Sequence, residues 1–268
     1  MAKRVIGLIV GVLAVLSLSS IIGAQILPWN NAGNAQSPNQ PQGPAGPAPR
    51  RDLSGIWDAG GAGIGARGAT PAPLTPWGDA LGKTHRAGDG VRMAPIELIN
   101  DPLSTMGDPE GFPRNLLFEL RPFQIVQTPN QVLMLYMFEK RWRVVWTDGR
   151  QLPTNPDPRW YGYSVGKWED DYTFVVQSNG TDERTWLDNA GNPHSADMKV
   201  EERYHRVNQN TMELTVTIDD PKAYTMPWVA RNKLALRLMP PNTDLMEMIP
   251  SATEAAEYKK VFAAPAKK

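Results

Sequence analysis

The sequence predicts a mainly β fold, an antiparallel up-and-down barrel or sandwich with short peripheral helices and a C-terminal helix. Apolar and polar residues alternate in many segments: in residues 211–218, Met212 and Leu214 alternate with Glu213 and Thr215, as in a strand with one buried face. Short polar turns separate such segments, as residues 208–210 (Asn-Gln-Asn) do here. Successive hairpins of this kind close into a barrel or pack as a sandwich.

The individual elements follow from the same patterns. Strands are predicted over residues 53–57, 123–127, 131–138, 142–147, 162–168, 172–177, 199–207, 211–218 and 234–239. Thr75 followed by Pro76 predicts the N-cap and first residue of a short helix that ends near Lys83, because proline fits the first helical position. Residues 251–254 (Ser-Ala-Thr-Glu) form a capping box, which predicts a helix that ends near Phe262.

The sequence divides the chain into three parts. Residues 1–24 are predicted to be a signal peptide, because two basic residues precede an uncharged apolar run and small residues end at Ala24. The alternative is an uncleaved membrane anchor, since the run approaches the ~20 residues that span a bilayer. Residues 25–51, rich in Pro, Gly, Asn and Gln, predict a disordered linker. Both alternatives place residues 52–268, predicted as a single β domain, in the periplasm or outside the cell.

Composition excludes several classes of function. Lysine plus arginine and aspartate plus glutamate each total 28, so the formal net charge is zero, and binding of nucleic acid through a cationic surface is not predicted. The chain has no cysteine, which excludes thiolate nucleophiles, cysteine-ligated zinc and iron–sulfur clusters. The predicted partner is a small molecule, and the membrane is reached only through an uncleaved N-terminal segment. The oligomeric state stays open.

Two glycine motifs and the histidines do not indicate a cofactor or a metal. Residues 63–68 match a dinucleotide fingerprint, but proline-rich sequence follows where that motif needs a helix. Residues 162–166 match a nucleophile elbow, but the chain continues into a hairpin. His85, His194 and His205 lack the spacing of metal ligands on one element. No metal site and no cofactor are therefore predicted.

The long connection over residues 179–195 is the first candidate functional site. It combines Asp182, Arg184, Trp186, Asp188 and His194, a set that supplies a base, an anion contact and an aromatic wall. Connections of this length between strands usually carry function. The alternative is an Ω-loop that packs on itself, in which Arg184 pairs with an acid and Trp186 plugs the loop.

Aromatic residues and one charged strand supply further candidates for ligand binding. Trp160 and Tyr161 follow a proline-rich loop and are predicted to face a ligand. The strand over residues 199–207 carries charge on both faces, so Glu202 and His205 are candidates for lining an interior cavity or its rim. The alternative is an edge strand that its charges protect from pairing.

Four motifs resemble those of a family of secreted bacterial proteins without an established activity. They are Gly-x-Ser-x-Gly-x-Trp-Glu at residues 162–169, Thr-Trp-Leu-Asp at 185–188, Gly-x-Pro-His-Ser at 191–195 and Val-x-Glu-Arg at 200–203. The resemblance covers residues 108–258, and the turn at 168–172 departs from the family's Trp-Glu-Gly-Asp-Thr. It implies export and a lipocalin-like β architecture, and it implies no reaction.

Two functional hypotheses follow, and the sequence does not decide between an enzyme and a binding protein. The first is an extracytoplasmic protein that binds an apolar or aromatic small molecule, with loop 179–195 at the barrel mouth. The second is a cofactor-independent enzyme (lyase, isomerase or hydrolase) in which His194 is the general acid or base, Asp182 or Asp188 orients it, and Arg184 stabilises negative charge. A structural or interaction module of the envelope is a third reading.

Overall fold

The computed structural model describes residues 45–63, 70–249 and 251–262. The predicted signal peptide, residues 25–44 of the predicted linker and residues 64–68 of the first glycine motif lie outside these ranges. Within them, the strands are β1 (Gly55–Asp58), β2 (Phe123–Gln127), β3 (Gln131–Tyr136), β4 (Trp142–Trp146), β5 (Tyr163–Trp168), β6 (Thr173–Asn179), β7 (Lys199–Asn208), β8 (Thr211–Asp219) and β9 (Trp228–Leu238). The α-helices are α1 (Pro76–Gly82), α2 (Pro102–Met106), α3 (Arg114–Leu117) and α4 (Ala252–Phe262).

The strands form one closed barrel in which each strand pairs with its neighbours in sequence and β1 pairs with β9. This confirms the predicted mainly β barrel. All pairs are antiparallel except β4 and β5, which run parallel through Val145–Ser164 and Trp146–Val165. The up-and-down expectation did not include this pair. It has a simple cause: directions that alternate around a ring cannot close when the number of strands is odd, and the described barrel has nine.

Side chains fill the barrel interior. In β8, Met212, Leu214, Val216 and Ile218 are fully buried, as their alternation predicts. They belong to one core cluster with side chains from β1–β4, β6, β7 and β9. The backbone of β5 lies close to the side chains of Val145 and Phe174 because Gly166 has no side chain. A Cβ at Gly166 would lie 2.8 Å from Val145 Cγ1 and would collide with the ring of Phe174. The interior is therefore a packed core rather than a hollow.

The predicted helix caps are confirmed. Thr75 Oγ1 accepts a hydrogen bond from Gly78 N at 3.1 Å, with Pro76 at the start of α1. At α4, Ser251 Oγ accepts from Glu254 N at 3.2 Å, and Glu254 Oε2 accepts from Ser251 N at 3.1 Å. This reciprocal pair satisfies two N–H groups that a helix start leaves free. Across the described ranges, no helix combines the length and apolarity needed to cross a bilayer.

Candidate functional site

The connection over residues 179–195 packs on itself around His194. The side chain of His194 is fully buried, with Nε2 2.8 Å from Thr185 Oγ1 and Nδ1 3.2 Å from Ser195 O. Burial lowers the pKa of His194, because the interior disfavours the charged imidazolium. Ser195 is held in turn by Asp220, whose carboxylate accepts from Ser195 N at 2.6 Å and from Ser195 Oγ at 2.7 Å. His194 thus stabilises the loop from within through its contacts with Thr185 and Ser195.

The acids of this loop bond to the loop and not to the histidine. Asp182 forms a two-point pair with Arg184, in which Nη2 and Oδ2 are 2.6 Å apart. Asp188 accepts hydrogen bonds from Ala190 N and from both nitrogens of Asn192. Among the described residues, neither acid forms the hydrogen bond to His194 that the catalytic hypothesis requires. The geometry favours the self-packed loop.

Two of the aromatic candidates are covered by neighbouring side chains. Trp186 is only 4% exposed and stacks on the His85 ring, with 4.5 Å between ring centroids. The Arg184 guanidinium lies 4.4 Å from the centroid of Trp160. Trp186 therefore plugs the loop, and Trp160 supports an arginine that is itself exposed.

Glu202 and His205 lie on opposite faces of β7. Glu202 is fully buried inside the barrel, where both carboxylate oxygens accept from Arg143 Nη2 at 2.8 and 2.6 Å and Oε2 also accepts from Tyr204 OH at 2.7 Å. His205 is on the exposed face, with Nδ1 3.0 Å from Thr173 Oγ1. β7 pairs with β6 and β8 along its length, so the edge-strand alternative is wrong. On this buried face Glu202 is paired with Arg143, whereas Arg206 donates from Nη2 to Gln209 O at 2.7 Å and its guanidinium lies 4.6 Å from the centroid of Trp57.

A second set of buried acids lies beside Tyr161. Glu139 accepts from Glu110 N at 2.8 Å and from Tyr161 OH at 2.7 Å. Burial raises the pKa of Glu110 well above its ordinary value, and no donor among the described residues reaches its buried Oε1. Sequence reasoning missed Glu110 and Glu139, because acids in polar connections usually face solvent.

A groove of about 410 Å³ lies over the parallel seam between β4 and β5. Its walls include the outward-facing aromatic residues of both strands, and residues 150–153 close one side. Trp142 is 66% exposed. The guanidinium of Arg150 lies 3.5 Å from the centroid of Trp146, and that of Arg159 lies 4.0 Å from the centroid of Tyr163. Of the predicted ligand-binding residues, Tyr161 lines this groove.

The chain matches no protein-family model, no curated protein and no solved structure. Within the described ranges, no group of three or more histidine, aspartate or glutamate side chains is arranged to hold a metal ion. The groove instead offers flat aromatic faces and guanidinium groups. Such surfaces bind planar or apolar molecules by stacking and by burial of apolar area.

Proposed function

We propose that the protein binds a small apolar or aromatic molecule in the groove over the β4–β5 seam, and that it does so outside the cytoplasm. One observation carries the proposal: Trp142, a large apolar side chain, stays 66% exposed at the edge of a concave surface of about 410 Å³. A ligand that covers this ring removes apolar area from water, which is favourable in proportion to the area covered.

The groove has the volume of a ligand site, and its aromatic side chains are ordered before a ligand binds. Its volume lies within the range of roughly 300–1,000 Å³ that is common for small-molecule pockets. The guanidinium of Arg150 lies over the ring of Trp146 and that of Arg159 over the ring of Tyr163, so these side chains are held in place. Side chains that are ordered before binding lose little entropy when a ligand contacts them.

Because side chains fill the interior of the barrel, the proposed ligand site lies on its outer face. Trp57, Phe123, Phe174 and Tyr204 are fully buried in one cluster across the barrel. A ligand inside would have to displace them, at a cost in packing energy. The seam offers an aromatic surface that is already open.

Binding of the neutral probe N-phenyl-1-naphthylamine tests the proposal, with the probe's own fluorescence as the readout. We expect saturable binding to the full chain and an affinity about 2–10-fold lower for Trp142→Ala, since one aromatic contact contributes roughly 0.5–1.5 kcal/mol. Tyr172→Ala is the matched control: Tyr172 is an exposed aromatic residue in the β5–β6 turn and does not line the groove. Equal affinities for Trp142→Ala and the unaltered chain would refute the proposal.

A further inference from the structure

The groove over the seam carries positive charge. Its lining includes three arginines, Arg143, Arg150 and Arg159, and no described aspartate or glutamate. A whole-chain charge of zero conceals this local excess. A concave surface that is lined by charges of one sign attracts ions of the opposite sign, so a positive groove raises the local concentration of anions.

Two of the three arginines are already neutralised. Arg143 directs its guanidinium into the barrel, where Nη2 contacts both oxygens of Glu202. Arg150 is paired with Asp148, with Nη2 2.6 Å from Oδ2 and Nε 3.0 Å from Oδ1. Neither charge is available to a ligand without the loss of an existing pair.

Arg159 keeps its charge for a ligand. It is exposed, it stacks on Tyr163 at 4.0 Å, and its backbone N–H donates to Gly180 O at 3.0 Å. Across the described part of the chain, no carboxylate lies within ion-pair distance of its guanidinium. Stacking fixes the plane of the group and leaves its N–H edge free to donate. That edge matches the two oxygens of a carboxylate or sulfonate.

We propose that the ligand of the groove is an aromatic anion, whose acidic group pairs with Arg159 while its ring covers Trp142. This inference rests on the proposed function. It adds that charge complementarity, and not aromatic contact alone, selects the ligand. Arg159 is then the specificity-determining residue of the groove.

Two probes with a shared ring system separate this inference from the proposed function. 1-Anilinonaphthalene-8-sulfonate carries a sulfonate, and N-phenyl-1-naphthylamine does not. Arg159→Gln is expected to lower the affinity for the sulfonate about tenfold, the loss typical of one charged hydrogen bond, and to leave affinity for the neutral probe within about twofold. Lys167→Gln is the matched control, because it removes one exposed positive charge from β5, the strand that follows Arg159, at a position that does not line the groove. The unfolding midpoint of each variant, measured by circular dichroism, verifies that it is folded.

The outcomes are distinct. A loss confined to Arg159→Gln and to the sulfonate supports the inference. Equal sulfonate affinities for Arg159→Gln and the unaltered chain, with Trp142→Ala still weakening the neutral probe, overturn the inference and leave the proposed function standing. If neither probe binds the unaltered chain saturably, both fail together.

Discussion

The buried pair of Arg143 and Glu202 permits a quantitative test of the barrel interior. In Glu202→Gln the carboxylate that accepts two hydrogen bonds from Arg143 Nη2 and one from Tyr204 OH becomes a neutral amide. One amide oxygen cannot replace both oxygens, and the amide NH₂ group faces another donor. Arg143 Nε and Nη1 already lack partners among the described residues, so the cation is left without compensation in the core.

The expected loss is large. Removing one partner of a buried ion pair typically costs about 3–5 kcal/mol. For a chain of this size, each kcal/mol lowers the unfolding midpoint by roughly 2–4 °C, so the decrease is about 6–20 °C. Glu201→Gln is the matched control on the same strand, because Glu201 faces solvent and lies 3.7 Å from Arg203. An exposed pair of this kind contributes about 0–1 kcal/mol.

Urea unfolding followed by circular dichroism measures both variants. The double variant Arg143→Met, Glu202→Met is expected to regain most of the stability, because replacing a buried ion pair with apolar residues is often neutral. The Arg143 guanidinium already lies 4.3 Å from the centroid of Phe112 and its Nη2 3.3 Å from Met134 Sδ, so apolar neighbours are in place. A loss below about 1 kcal/mol for Glu202→Gln would refute the reasoning.

Three further predictions concern stability. Burial raises the pKa of Glu110 above its ordinary 4.5, so its contribution to stability is full below pH 4.5 and is lost as pH rises through the folded-state pKa. Glu110→Gln should therefore flatten the fall of the thermal midpoint as the pH rises above 4.5, and an unchanged slope would contradict this. Trp186→Ala should cost about 3–5 kcal/mol in urea unfolding without changing probe affinity; weaker probe binding would return loop 179–195 to the site. Gly166→Ala should cost about 1–3 kcal/mol, because its Cβ would collide with Phe174; unchanged stability would show that the seam relaxes.

The strands were predictable because each hairpin is local. Alternation over residues 211–218 requires only that one face is buried, and β8 (Thr211–Asp219) follows it closely. β9 was predicted too short, over 234–239, whereas it spans Trp228–Leu238. Register shifts against β8 and the positive φ of Lys233 interrupt the alternation there. Where the hydrogen-bonded pairing of two strands is irregular, apolar and polar residues no longer alternate along the sequence with a period of two.

The site was less predictable because it depends on contacts distant in sequence. Loop 179–195 has the composition of a binding site, and its composition does not reveal that Asp182 and Asp188 bond within the loop. The groove arises where β4 and β5 meet in parallel, which no local pattern encodes. Tyr161 was identified from its place after a proline-rich loop. Arg159 was missed because the role proposed for it depends on finding no carboxylate of the described residues within ion-pair distance, which only the fold reveals.

The short parallel seam gives the molecule two halves. Two register pairs join β4 to β5, and two join β1 to β9, whereas β6 and β7 share six. The barrel wall therefore consists of two curved sheets, β1–β4 and β5–β9, which are connected only by these two short strand pairings. Trp142 belongs to one sheet and Tyr163 to the other. A ligand that contacts both aromatic side chains would link the two curved sheets, so binding in the groove would also stabilise the barrel against separation of β4 from β5.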